Sequence, residues 1–206
     1  MRLCRAARRT IKYLLNTKNK RLRLGGRTFP YLRGFSDTDH GGCLDTRRST
    51  TSNLLFLGDS CFSWYCTRQL RTVDSTCVAE FMALTPLMKE IIWSRYILAE
   101  LNVRLRVATT AFCDNQAAIA LAQDPVFHKR TKSIGIMYRQ IEDATEAGLL
   151  NVVYVATDDN LADINTKSSL QRDKFEYFVD SILNGMNIPT SIIKVMTKED
   201  LGLFGF

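Results

Sequence analysis

The sequence predicts an α/β protein that is built on a five-stranded mixed sheet with helices on both faces. Three strand-like segments come first along the chain, and two further segments are separated by helical stretches. The five segments cover residues 31–37, 52–57, 61–66, 107–112 and 150–156. Strands that follow one another directly usually pair antiparallel, whereas strands joined through helices usually pair parallel. We therefore expect three antiparallel strands followed by parallel ones.

Local signals support each element in turn. Gly58 and Asp59 lie between the second and third strands and predict a hairpin turn. Ser75 and Thr76 are expected to cap the longest helix, and Pro86 is expected to kink it. A basic amphipathic helix of about 14 residues precedes the strands, and segment 21–24 is a candidate short strand. The later helices are predicted over residues 78–101, 116–123, 131–147 and 170–183, with one helical turn near 158–166.

Charge divides the chain into regions. Residues 1–33 hold 11 Lys and Arg and no acidic residue, which leaves 17 basic and 21 acidic residues for the remainder. A basic arm of this kind typically meets phosphates or anionic surfaces. An organelle transit peptide is the alternative, although the segment lacks the serine enrichment of such peptides. We predict a basic N-terminal helix in residues 1–28, a folded domain in 29–184 and an extension in 185–206.

Composition excludes several classes of protein. Hydrophobic residues make up 46% and charged residues 24%, which is typical of a globular domain. No apolar run reaches the roughly 18 residues that a membrane span needs, so no membrane partner is expected. The 6 cysteines show no Cys-x-x-Cys spacing, which favours reduced, buried thiols in an intracellular protein that is not secreted.

Four acidic residues lie where the chain changes from one element to the next. Asp37 ends the first strand, Glu80 begins the long helix, Asp114 follows the fourth strand and Asp163 follows the fifth. Strand ends and adjoining helix starts gather at one edge of an α/β sheet, where four carboxylates would repel one another unless cations hold them. Surface acids and helix caps are the alternative reading. Asp39 shares a face of the first strand with Asp37.

Oxygen ligands alone favour Mg²⁺ or Mn²⁺ over zinc. Two such ions about 4 Å apart clamp the attacking water and the leaving oxygen of a phosphodiester in known metal-dependent nucleases and phosphatases. The carboxylates therefore permit phosphodiester hydrolysis with two ions.

Six short motifs surround these carboxylates. They are an opening Gly-aromatic-Ser-Asp-x-Asp motif, an Arg-Arg-Ser-Thr element, a Ser-Trp strand, an Ala-Glu-aromatic helix start, a Cys-Asp-Asn-Gln-Ala motif and a final Leu-Ala-Asp-Ile-x-Thr-Lys motif. These motifs occupy residues 34–39, 47–50, 63–64, 79–84, 113–119 and 161–167. Together they resemble a known family, the ribonuclease H domain of copia-type retrotransposon polyproteins, over about residues 34–183.

The resemblance implies a ribonuclease H-like fold and a nuclease that cuts the RNA strand of RNA–DNA hybrids, leaving 3′-hydroxyl and 5′-phosphate ends. By it, Asp37, Glu80, Asp114 and Asp163 are the ligands of two Mg²⁺ or Mn²⁺ ions. Candidates for contacts to 2′-hydroxyls and phosphates are Asn115, Gln116, Ser49, Thr50, Arg47, Arg48, Lys132 and Lys167.

The resemblance extends upstream, because the first helix is similar to the tail of the reverse transcriptase that precedes this domain in the family. The polymerase body is not in the sequence, so we expect no polymerase activity from this chain. The implied partners are an RNA–DNA hybrid and the reverse transcriptase portion of the polyprotein. The implied location is a cytoplasmic virus-like particle or the nucleus.

The chain departs from the family pattern at several positions, among them His40, Val78, Ser133, Gly135 and Arg139. The loop at residues 157–160 also lacks the accessory histidine of cellular ribonucleases H. An alternative function therefore stays open: a catalytically weak or inactive remnant that binds nucleic acid.

Overall fold

The computed structural model describes residues 2–25, 31–123 and 135–185. Its elements are α1 (Arg2–Thr17), β1 (Leu32–Asp39), β2 (Thr50–Leu57), β3 (Ser60–Arg68), α2 (Thr76–Glu100), β4 (Thr109–Cys113), α3 (Gln116–Gln123), α4 (Gly135–Glu146), β5 (Leu150–Tyr154), α5 (Asp163–Thr166) and α6 (Arg172–Asn184), with a 3₁₀ turn at Thr157–Asp159.

The five strands form one mixed sheet in the order β3-β2-β1-β4-β5. The β1–β2 and β2–β3 pairs are antiparallel, and the β1–β4 and β4–β5 pairs are parallel. Gly58 has a φ of 58°, a left-handed conformation that glycine adopts without strain, and it turns β2 into β3. The predicted fold class, including the change from antiparallel to parallel pairing, is confirmed.

Helices cover both faces of the sheet because side chains alternate along each strand. On one face, α2, α3 and α4 enclose a core that contains Phe81 and Ile141. On the other face, α5 and α6 close over a second core that contains Phe35 and Phe178. Burial on both faces agrees with the rule that parallel strands are covered on each side.

Helix α2 packs closely against the sheet at Gly34. A methyl group at this position would lie 2.7 Å from Leu87 Cδ1, and Leu87 is 1% exposed. Glycine is therefore required here because of the space that Leu87 of the helix occupies.

Gly34→Ala is expected to lower the free energy of unfolding by about 1–3 kcal/mol, because overpacking forces Leu87 or the helix to move. Urea denaturation of the variant and the unsubstituted chain would measure this as a lower midpoint. Gly135→Ala is the matched control, since a methyl group there meets nothing within 4 Å. A Gly34→Ala midpoint equal to that of the control would contradict the packing argument.

The structure differs from the sequence-based prediction in the residues before β1. Residues 21–24 form no strand, although Arg23 N donates to Leu183 O at 2.7 Å and Leu22 packs against the second core. Helix α1 is amphipathic as predicted, but its apolar side faces solvent, with Leu3 86% exposed. The domain boundary near residue 28 stays a prediction.

The cysteine prediction is partly wrong. Cysteines in the described ranges form no disulfide, and only Cys61 and Cys113 are buried. Cys4 is exposed on α1, and Cys66 is exposed on β3, which lies at an edge of the sheet.

The helices in the described ranges include none with the length and apolar character needed to cross a membrane.

Candidate metal centre

The four predicted carboxylates come from four different elements. Asp37 lies in β1, Asp114 directly follows β4, Glu80 lies in α2 and Asp163 begins α5. Because β1 and β4 are adjacent and parallel, their carboxyl ends meet at one edge of the sheet. One oxygen each from Asp37, Asp114 and Asp163 lies within 4.8 Å of the others, and Glu80 comes equally close to Asp114 and the Cys113 sulfur. The structure thus brings all four acids to one place.

Three of these carboxylates are almost fully buried, which is unusual for charged groups. Asp37 and Asp163 are each 1% exposed, and Glu80 is 6% exposed. Asp37 Oδ1, Asp163 Oδ1 and Glu80 Oε2 are buried and accept no hydrogen bond from the described residues. Buried, unpaired carboxylate oxygens are costly unless a cation binds them. The donor set therefore fits a hard divalent metal ion.

Burial and mutual repulsion make the charged forms unfavourable in the metal-free site. Burial, with the charges of Asp37 and Asp114, raises the pKa of Glu80 to about 9. Burial raises the pKa of Asp37 to about 6 against the opposing hydrogen bond from Thr166. Burial also raises the pKa of Asp163. The metal-free site therefore holds protons that a cation would displace.

The neighbouring Cys113 is a poor ligand for such an ion. Burial first, and then the charge of Glu80, raises the pKa of its thiol well above the ordinary value, so the sulfur stays protonated. A thiolate also suits softer metals than magnesium. The groups here that suit a hard divalent ion are therefore the carboxylate oxygens.

Two lysines partly balance the negative charge. Lys167 Nζ lies 3.8 Å from Asp37 Oδ2 and 3.8 Å from Asp163 Oδ1. Burial lowers the pKa of Lys167, but the carboxylates of Asp37 and Asp163 raise it overall. Lys174 of α6 lies 3.2 Å from Asp163 Oδ2. Sequence reasoning did not single out Lys174, because no motif connects position 174 to the carboxylates.

Hydrogen bonds hold the acid-bearing segments in place. Thr166 donates to Asp37 Oδ2, and Thr157 Oγ1 donates to Asp114 Oδ2 at 2.8 Å. Asn160 is fully buried and donates to Ser36 O at 3.0 Å, which ties the segment before α5 to β1.

Gln69 is a second residue that sequence reasoning missed. It is buried, and its side-chain amide donates to Thr38 Oγ1, Thr51 Oγ1 and Ala79 O at 3.0–3.3 Å. These bonds connect β1, β2 and the residue before Glu80. A polar residue just after a predicted strand was the only signal available in the sequence.

The predicted substrate-contacting residues are spread around this edge. Asn115 Oδ1 accepts from Ala118 N at 3.0 Å and so caps α3, while Gln116 is exposed. Arg47 and Arg48 are exposed on the loop between β1 and β2. Lys167 lies among the carboxylates, as described above, and Lys132 falls outside the described residues.

Ser49 and Thr50 are less accessible than the other candidates. Ser49 is buried, and its Oγ accepts from Gly41 N at 3.1 Å, so its hydroxyl holds the loop. Thr50 is half-buried at the start of β2. His40, one of the departures from the family pattern, is hydrogen-bonded through Nε2 to Val73 O at 2.9 Å. His40 therefore links the loop after β1 to the segment before α2.

Taken together, the fold and the site define an α/β domain of mixed sheet topology with a carboxylate cluster at the ends of two parallel strands. No family model matches the chain. It is 36% identical over 177 residues to a retrovirus-related Pol polyprotein from transposon RE1 of Arabidopsis thaliana, covering 86% of this chain and 12% of that protein. It is 35% identical over 166 residues to the corresponding polyprotein of transposon TNT 1-94 of Nicotiana tabacum, covering 81% and 12%.

The resemblance recognised from the motifs is confirmed: the homologues of this chain are copia-type Pol polyproteins, consistent with a retrotransposon ribonuclease H domain. The chain spans about 12% of the length of these relatives. Among solved structures, the N-terminal RNase H domain of Rv2228c from Mycobacterium tuberculosis, a fusion with maltose binding protein, aligns with a TM-score of 0.49. That alignment has 12% identity and covers 74% of this chain and 98% of the other.

Proposed function

We propose that this chain is a retrotransposon-derived ribonuclease H that hydrolyses the RNA strand of RNA–DNA hybrids with two Mg²⁺ or Mn²⁺ ions. One observation carries the proposal: Asp37, Asp114 and Asp163 converge within 4.8 Å, with Glu80 adjoining Asp114. The motif resemblance and the polyprotein homologues favour a nuclease over other metal-dependent activities.

Asp37, Glu80, Asp114 and Asp163 would hold the ions, because their oxygens are close together and three of them are buried without a hydrogen bond. When bound, the ions would supply an activated water and neutralise the charge that develops on the phosphate. The chain itself supplies the frame: Thr166 orients Asp37, Thr157 orients Asp114 and Lys174 orients Asp163.

Substrate contacts would come from the loops that surround the carboxylates. Arg47 and Arg48 are exposed and can reach phosphates, which position the duplex without reading its sequence. Gln116 is exposed beside Asp114 and is the better candidate for a 2′-hydroxyl contact, since the Asn115 amide oxygen already caps α3. Ser49 would act indirectly, by holding the loop that carries the arginines.

The exposed apolar residues of helix α1 favour a protein partner in addition to the nucleic acid. Its apolar residues, among them Leu3 and Leu14, are exposed although they follow a helical stripe. In the polyprotein, the preceding reverse transcriptase portion would cover this stripe. We accordingly propose that the domain acts beside the polymerase during copying of the element's RNA, in a cytoplasmic particle or in the nucleus.

The test is an RNA–DNA hybrid with a 5′-labelled RNA strand, incubated with the purified chain and Mg²⁺. We expect RNA fragments that end in 3′-hydroxyls, and no fragments when EDTA replaces Mg²⁺. The same RNA without its DNA partner and a DNA duplex of the same sequence serve as controls and should stay whole. Cleavage that persists in EDTA, or an intact hybrid in both Mg²⁺ and Mn²⁺, would contradict the proposal.

An intact RNA strand whose hybrid is nevertheless retarded in a gel would support the alternative, a nucleic-acid-binding remnant. The basic residues of segment 1–33 favour such binding. Binding through phosphates weakens steeply with salt, because bound cations are released from the nucleic acid. A flat salt response would count against a role for the basic arm.

A further inference from the structure

Lys174 contacts Asp163 and the 3₁₀ turn that precedes it, from a helix that carries none of the four carboxylates. Its Nζ donates to Asp163 Oδ2 at 3.2 Å, to Asp158 Oδ1 at 3.2 Å and to Thr157 O at 3.0 Å. The side chain is 21% exposed, and its ammonium lies 5.2 Å from the centre of the Phe178 ring. Phe178 is buried in the second core, so the Lys174 ammonium packs against a well-ordered aromatic ring.

The contact with Asp163 occupies one oxygen of that carboxylate and leaves the other without a hydrogen bond from the described residues. Asp163 Oδ2 is taken by Lys174, while Oδ1 is buried and accepts no hydrogen bond from the described residues. Oδ1 lies on the side of Asp37, since the Lys167 ammonium is 3.8 Å from both Asp163 Oδ1 and Asp37 Oδ2. Lys174 therefore occupies Oδ2 of Asp163, and Oδ1 is the oxygen on the side of Asp37.

The contact with Thr157 reaches a second carboxylate. Lys174 holds the backbone of the 3₁₀ turn at Thr157–Asp159, and the Thr157 hydroxyl donates to Asp114 Oδ2 at 2.8 Å. Asp114 and Asp163 come from opposite sides of this turn in the chain. One lysine thus contacts Asp163 directly and is linked to Asp114 through Thr157.

We propose that Lys174 is a positioning residue of the candidate metal centre, which orients Asp163 and Asp114 for a divalent ion. The inference rests on the proposed function, which supplies the ion. Groups that hold metal ligands by hydrogen bonds typically change metal affinity by about 10–100-fold when they are removed.

The direction in which removal of Lys174 changes the affinity for a divalent ion distinguishes a positioning role from a purely electrostatic one. If Lys174 acted only as a nearby cation, its removal would strengthen binding of a divalent ion, because like charges repel. If it acted only as a structural ion pair, its removal would lower stability without a specific effect on the ion. Positioning predicts weaker binding of the ion, even though a competing positive charge has been removed.

The experiment titrates the full, metal-free chain with Mn²⁺ and follows the free ion by electron paramagnetic resonance. Lys174→Met keeps the length of the side chain and is expected to weaken Mn²⁺ binding by about 10-fold or more. Lys174→Arg keeps a cationic donor and should recover most of the affinity. Lys174→Gln is a second neutral variant if the methionine variant does not fold, with melting in EDTA as the check of folding.

Arg172→Met is the matched control. It removes one positive charge from the same helix, but the Arg172 side chain is 86% exposed and pairs with Glu176. Its Mn²⁺ affinity should equal that of the unsubstituted chain. In the hybrid cleavage assay, Lys174→Met should lower kcat by about 10-fold or more with little change in KM, because the lysine orients ligands and does not hold the nucleic acid.

Equal or tighter Mn²⁺ binding by a folded Lys174→Met or Lys174→Gln variant would overturn the inference. Mn²⁺ binding by the unsubstituted chain without cleavage would overturn the proposed function alone, and the comparison of affinities would still decide the role of Lys174. Absence of Mn²⁺ binding by the unsubstituted chain would overturn both.

Discussion

Asp37→Asn is expected to abolish cleavage of the RNA strand, by about 10³-fold or more, while it stabilises the metal-free domain. Asp37 is 1% exposed, and burial raises the pKa of its carboxyl to about 6. At pH 8 the wild-type side chain is therefore charged in a place that disfavours charge. Asparagine keeps the shape and can still accept from Thr166, but it cannot supply the charged oxygen that a metal ion needs.

The stabilisation follows from the same pKa shift. One pKa unit corresponds to about 1.4 kcal/mol, and the raised pKa of Asp37 already includes the attraction to Lys167. Burying the asparagine amide has its own desolvation cost, so we expect a net increase of about 1–2 kcal/mol. This raises the melting temperature in EDTA at pH 8 by about 3–6 °C. Differential scanning calorimetry and the hybrid assay measure the two effects on the same preparations.

Asp39→Asn is the control for this substitution. Asp39 lies two residues further along β1, but it does not join the groups of close carboxylates in the described residues. The cleavage rate and the melting temperature of the Asp39→Asn variant should both stay near those of the unsubstituted chain. Full activity in Asp37→Asn, or equal losses in the two variants, would sink the assignment of Asp37 as a metal ligand.

The metal-free chain is expected to lose stability as the pH rises from about 5 to 9, with Glu80 as the main cause. Burial raises the pKa of Glu80 from 4.5 to about 9 in the folded state. A group with a raised folded-state pKa stabilises the fold fully below its unfolded pKa, and this contribution disappears as the pH rises through the folded value. The slope is at most about 1.4 kcal/mol per pH unit for one group.

Magnesium should reverse this trend, because a bound cation favours the ionised carboxylates. The rise in melting temperature on adding Mg²⁺ is therefore expected to grow between pH 6 and 9. Melting curves in EDTA and in Mg²⁺ across this range give the measurement. Glu80→Gln should flatten the dependence in EDTA, whereas Glu100→Gln, an exposed change at the end of the same helix, should leave it intact. A steep dependence that survives in Glu80→Gln would show that other groups cause it.

The departures from the family pattern bear on these experiments. His40 links the loop after β1 to Val73 O through a hydrogen bond. Gly135 begins α4 and Arg139 pairs with Glu142, so neither changes a carboxylate of the site. These substitutions change residues outside the carboxylate cluster and leave its four acids in place. This favours the proposed hydrolysis over the alternative of a remnant that only binds nucleic acid.

The amino-acid sequence sufficed for the five strands, the change from antiparallel to parallel pairing and the four acids at element ends. These features depend on the alternation of apolar and polar residues, on turn residues that are close together in the chain, and on motifs made of consecutive residues. The strand that contains Asp37 was predicted to end two residues early, because the polar residues Thr38 and Asp39 look like a turn while the structure pairs them with Thr51 and Thr50.

The tertiary structure alone decided how the acids are held. Lys174 meets Asp163 across 11 residues, Thr157 meets Asp114 across 43, and Thr166 meets Asp37 across 129. Such contacts depend on how α5 and α6 pack over the second face of the sheet, and no local pattern encodes them. The same holds for burial: the carboxylates can be identified in the sequence, but only packing makes three of them nearly inaccessible and so raises the pKa values of Asp37, Glu80 and Asp163.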